Sequence, residues 1–153
     1  MKRLGMLAAI GTIGTLNSLF FTSAPAGAQS CTPLSVVGGN STEVSKTVSP
    51  PSTGVTRSNW NTDFVVPSRQ NFTRYIARVI SPNGGEYDVQ VFLKYNNDTA
   101  DQIFNETVAL TEGNPLQVQG AGRAGATPYQ VNVQVGGLQA LGKPYTVSAF
   151  GCY

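Results

Sequence analysis

Apolar and polar residues alternate with period two in "YDVQVFLK", residues 87–94. Tyr87, Val89, Val91 and Leu93 share one face, and Asp88, Gln90 and Lys94 share the other. Such spacing places successive side chains on opposite sides of a strand and marks a half-buried sheet. The same pattern recurs in "YQVNVQV", with Tyr129, Val131, Val133 and Val135 expected inward, and in "YTVSAF", with Tyr145, Val147 and Ala149 inward. "FTRYIARVI" carries apolar residues on both faces, so Phe72 to Ile80 reads as a central strand.

Further strands are expected over Glu43–Val48, Asn61–Val66, Phe104–Leu110 and Leu116–Gln119. Between them stand "SPP", "SPNGG", "EGNP", "VGG" and "GKP", the punctuation of tight turns. About eight short strands with turn-rich connections predict an all-β antiparallel β-sandwich, of Ig-like or jelly-roll-like connectivity. One helical turn is expected within "NNDTADQIFNE", residues 96–106, and no internal repeat stands out.

At the N-terminus, Lys2 and Arg3 precede a mostly apolar run to Phe21, and Ala26-Gly27-Ala28 supplies small residues where a signal peptidase reads. Residues 1–28 therefore read as a cleaved signal peptide and 29–153 as one secreted domain, with no stable membrane span after cleavage. Residues 29–58 are expected to form a loose N-terminal arm, since Gly, Ser, Thr and Pro crowd its second half. Bacterial lipoproteins carry an aliphatic residue three places before their modified cysteine; here that place holds Ala28, which argues against a lipid on Cys31. The short basic leader and sparse cysteines suit a bacterial exported protein, placed outside the cell, at its surface or in the periplasm.

The two cysteines, Cys31 and Cys152, bracket nearly the whole exported domain, and in an oxidising compartment they are expected to form one disulfide. Two cysteines and no histidine do not build an ordinary tetrahedral zinc site. Of ten basic residues the leader takes Lys2 and Arg3, leaving eight against eight acidic ones. A chain without excess cationic charge is a poor match for nucleic acid or an anionic membrane.

The absence of histidine removes the commonest general base and every Ser-His or Cys-His arrangement. The expectation is a protein that is not an enzyme, with a carboxylate-dependent hydrolase around Asp98, Asp101 and Glu106 as the catalytic alternative. "GAGRAG", residues 120–125, fits the glycine pattern of dinucleotide sites, but a β-type segment follows instead of a helix, so it reads as a hairpin loop with Arg123 at its tip. Asn96, Asp98 and Asp101 offer the oxygen ligands calcium takes, without EF-hand spacing, and compete with a plain Asn/Asp-capped turn. No other cofactor is expected. Four Asn-x-Ser/Thr sequons, at Asn40, Asn71, Asn97 and Asn105, matter only in a host that glycosylates exported chains.

Function is then expected to be non-catalytic: a secreted or cell-surface structural or adhesive sandwich acting through a sheet edge or a loop face. Its partners would be an extracellular polysaccharide, a protein, or a second copy paired along an edge strand such as the uncharged "QVNVQV". The alternative is a carbohydrate-binding module. Trp60, the only tryptophan, stands between Asn59 and Asn61, with Tyr95 as a further aromatic. An indole face receives a sugar's C–H face while flanking amides bond its hydroxyls. The competing reading buries Trp60 in the core.

Overall fold

A computed structural model of the chain describes residues 29–153. The leader expected over residues 1–28 lies outside the described residues. Nine strands follow in order: β1 (Cys31–Pro33), β2 (Glu43–Thr47), β3 (Asn61–Val65), β4 (Arg74–Ile80), β5 (Gly85–Lys94), β6 (Ala100–Leu110), β7 (Leu116–Ala121), β8 (Gln130–Gly136) and β9 (Pro144–Cys152). A single turn of 3-10 helix, Leu138–Ala140, joins the last two.

The strands form two antiparallel sheets. One has the order β1-β9-β4-β7, with β2 also paired to β9; the other runs β3-β8-β5-β6. Pairing joins β2 to β9, β3 to β8, β4 to β7 and β5 to β6. The chain is thus one long hairpin folded over on itself, which is the jelly-roll solution to closing a sandwich.

Period-two patterning explains the core. Tyr87, Val89, Val91 and Leu93 of β5 are fully buried, as are Val131, Val133 and Val135 of β8. They meet Tyr75, Ala77 and Val79 of β4 and Tyr145, Val147 and Ala149 of β9 from the opposite sheet. The Tyr87 hydroxyl donates to the Pro144 carbonyl at 3.0 Å and lies 2.8 Å from Ser81 Oγ, so a polar tie crosses the core where a buried phenol needs a partner.

Four expectations change. The strand "QVNVQV" is β8, hydrogen-bonded by β3 on one side and β5 on the other, so it offers no free edge for self-association. Two β-prone neighbours flank it in space that are distant in sequence. Tyr129, expected inward, precedes β8 and is 44% exposed. Residues 96–106 contain no helical turn: β6 starts at Ala100 and keeps its hydrogen bonds to β5 through a bulge opposite Val91 and Phe92. Within the expected arm, β1 and β2 are part of a sheet, while residues 34–42, apart from a bridge between Val36 and Phe64, and residues 48–60 run without strand pairing.

Cys31 and Cys152 are directly opposed in the β1–β9 register and form a disulfide that links residues 121 apart. It fastens the first strand to the last. No helix among the described residues is long and apolar enough to cross a membrane.

Candidate functional site

Trp60 is partly buried against the core rather than set out as a free platform. Its indole N–H donates to the Ser49 carbonyl at 2.8 Å, and its ring covers Gly136, where even a Cβ would collide with it. The flanking amides are engaged within the fold. Asn59 donates from Nδ2 to Thr47 O at 2.8 Å and accepts from Ser49 N–H at 3.1 Å. Asn61 Oδ1 accepts from Asn132 Nδ2 at 3.0 Å.

Tyr95 is not near this group. Trp60 O accepts from Val135 N–H at one end of β8, whereas Tyr95 follows Lys94, which is paired with Gln130 at the other. Roughly 20 Å of strand separates the two ends. Tyr95 is buried at 4% exposure and takes part in a different cluster: its hydroxyl accepts from Arg123 N–H at 3.0 Å and its ring stacks under the Arg123 guanidinium at 4.1 Å.

Arg123, expected at a free loop tip, is fixed on Asp101 by two hydrogen bonds, Nη2 to Oδ1 at 2.6 Å and Nε to Oδ2 at 2.9 Å. Arginine's planar fork suits this bidentate contact. The pair holds the Asp101 carboxyl below its ordinary range, the hydrogen bonds from Arg123 contributing most. Both Asp101 oxygens therefore face a cation, and a bound metal ion would have to displace it. Asp98, in the left-handed region at φ 60°, and Asn96 lie in the preceding turn. Glu106 stands five residues beyond Asp101 along β6, about 16 Å away. No cluster of three or more Asp, Glu, Cys or His suited to a metal occurs among the described residues.

What the register does bring together is the outer face of the four-stranded sheet. Alternation with the buried valines turns Asp63, Asn132, Phe92 and Gln102 outward, and pairing aligns them as one row across β3, β8, β5 and β6. The neighbouring row is Asn61, Gln134, Gln90 and Asn105, four amides in line. Gly136, Asp88 and Thr107 continue the face on the side that Trp60 covers.

Both ends of this face are prearranged. Asn132, 2% exposed, donates from Nδ2 to Asp63 Oδ1 at 2.7 Å as well as to Asn61, and Lys94 Nζ reaches the same Asp63 oxygen at 3.0 Å. Asp88 Oδ1 accepts from Thr107 at 2.6 Å and from Gln139 at 2.9 Å. Gln90, Gln102, Asn105 and Gln134 enter none of these bonds. Their amides, each with two N–H donors and an acceptor oxygen, face outward around the half-buried ring of Phe92.

Sequence reading identified the polar register of β5 through Asp88, Gln90 and Lys94 but passed over Phe92, an aromatic standing in a polar position. That misfit was the available signal. The amide rows were hidden because each needs a register between strands far apart in the chain.

The sequence matches no protein-family model and no curated protein. Among solved structures it is similar to the C-terminal family 22 carbohydrate-binding module of Clostridium thermocellum Xyn10B, with TM-score 0.41 and 10% identity over 76% of this chain and 88% of that one. A CBM22-1 xylan-binding domain from Paenibacillus barcinonensis Xyn10C gives TM-score 0.34 and 12% identity, covering 77% and 83%. A structure described under CBM4 gives 0.29 and 16%, covering 73% and 92%. At these identities no residue of those domains is carried onto a position here.

Proposed function

We propose that the chain is a non-catalytic, extracellular carbohydrate-binding domain whose site is the outer face of the β3-β8-β5-β6 sheet. The observation that carries this reading is the pair of cross-strand rows, Asn61-Gln134-Gln90-Asn105 and Asp63-Asn132-Phe92-Gln102. Seven of the eight are amides, an acid and one aromatic ring facing the same way; the eighth, Asn132, is buried beneath them as a brace.

Sugar hydroxyls are donors and acceptors at once, and amides match both roles without a net charge. An aromatic ring receives the C–H face of a pyranose. A face that crosses four strands accommodates several sugar units, so the ligand class is a neutral polysaccharide rather than a monosaccharide. Trp60 borders the face over Gly136 and there braces its margin.

Titration calorimetry of the purified protein against soluble xylan, mixed-linkage β-glucan and galactomannan tests the reading. Saturable binding to at least one, weakened tenfold or more by Phe92→Ala and by Gln134→Ala at unchanged melting temperature, is the expected result. Binding unaffected by both substitutions, or no binding to any of the three, overturns it.

A further inference from the structure

The outer face of the five-stranded sheet has a different chemistry. Along β4, alternation turns Arg74, Ile76, Arg78 and Ile80 outward, since Tyr75, Ala77 and Val79 are buried. In register, Arg74 lies between Cys152 and Ala121, Ile76 between Phe150 and Gln119, and Arg78 between Ser148 and Gln117. No carboxylate stands in any of these rows on β4, β7 or β9. Glu43 on β2, opposite Ser148, is in the row of Arg78 but two strands away, and neither ion pair of the described residues involves Arg74 or Arg78. The Nε of each arginine is buried without a hydrogen-bond partner among the described residues.

We propose that this face binds a carboxylate-bearing polysaccharide, with Arg74 and Arg78 each receiving a uronate group and Ile76 and Phe150 lying beneath the sugar between them. Four residues of strand set the two guanidinium anchors about 13 Å apart in a line. With Nε buried, the two terminal nitrogens of each guanidinium, which enter no hydrogen bond or ion pair among the described residues, are the ones that would meet a carboxylate with two parallel N–H bonds, the geometry in which arginine exceeds lysine. The apolar step between the charges suits a chain that alternates carboxylates with C–H faces.

Two cations are too few for an anionic membrane, whose recognition uses clusters of about four to eight Lys or Arg. Nucleic acid is bound through many neutralised phosphates, and residues 29–153 carry eight basic against eight acidic side chains. The face lies on the opposite side of the sandwich from the amide rows, so this inference stands independently of the neutral-glycan reading.

Affinity electrophoresis of the purified protein in gels containing polygalacturonate, fully methyl-esterified pectin or poly-L-glutamate is the test, with sedimentation of phosphatidylserine vesicles beside it. Retardation by polygalacturonate alone is expected. It should fall at least tenfold with Arg74→Gln and with Arg78→Gln, fall less with the matching lysine substitutions, and be unchanged by Phe92→Ala. Equal retardation by the esterified polymer, or by poly-L-glutamate, overturns the uronate assignment. So does binding to the vesicles alone, a self-association that polygalacturonate fails to compete, or no retardation of the unmodified protein in any gel. The esterification comparison uses the unaltered chain and stands even if a variant fails to fold.

Discussion

Arg123 illustrates how a residue's role depends on neighbours that its sequence context does not disclose. Its backbone N–H and its guanidinium engage Tyr95 and its fork engages Asp101, so a loop side chain that looks free for an anion is already committed. Because Arg123 depresses the folded-state value of Asp101, the ion pair stabilises the fold above the unfolded aspartate value of about 3.9. That contribution fades as pH falls through the lower folded value. Carboxyl-carbon NMR should place the Asp101 midpoint below the ordinary aspartate range and return it to that range in Arg123→Gln. An ordinary midpoint in the unmodified protein would contradict the pairing.

Tyr75 is a second residue-scale case. Burial pushes its phenol up to about 12, and its hydroxyl is buried without a partner among the described residues. Alkaline titration followed at the tyrosinate absorbance should therefore leave this phenol protonated where exposed tyrosines ionise, near pH 10. A spectrum in which all six tyrosines ionise together near pH 10 would contradict the burial.

At the scale of elements, most strands were legible because period-two alternation is written into each segment alone. "YDVQVFLK" extends to β5 by two residues, and "FTRYIARVI" contains β4, which is central as its two apolar faces imply. Edge and centre were less legible. "QVNVQV" carries polar side chains outward in the manner of an edge strand, yet it is the inner strand β8, because Gln130, Asn132 and Gln134 form part of a recessed polar face. The candidate site was hidden for the same reason: its rows exist only once β3, β8, β5 and β6 are set in register.

The tie between Tyr87 on β5 and the start of β9 is a property of two elements. Tyr87→Phe removes the donor to the Pro144 carbonyl and leaves buried Ser81 with one partner fewer. A loss of about 1–3 kcal/mol in unfolding free energy is expected from the abandoned polar groups, measurable by urea denaturation. No change would mean that the bond does not hold the sheets together.

For the whole molecule, the disulfide and the jelly-roll path express one fact, that strands paired across the sandwich are remote in sequence. Cys31 and Cys152 were legible as partners because they are the chain's two cysteines, and the β1–β9 register gives the physical reason they meet. Closing so long a loop removes chain entropy from the unfolded state, worth up to about 4–5 kcal/mol if that entropy is the whole effect. Reduction should lower the melting temperature of the protein while leaving β-sheet circular dichroism below the transition unchanged. An unchanged transition under verified reduction would count against a stabilising clasp.

The two outer faces divide the surface into an amide-lined side and an arginine-bearing side, on a frame whose buried residues are common to both. The side-chain NH2 resonances in a heteronuclear NMR titration report on the two faces separately. On addition of a neutral polysaccharide that binds, Gln90, Gln102, Asn105 and Gln134 should shift saturably, while Asn59, Gln117 and Gln119 stay in place. Shifts confined to Asn59 and the Trp60 indole, or spread over Gln117 and Gln119, would contradict the account.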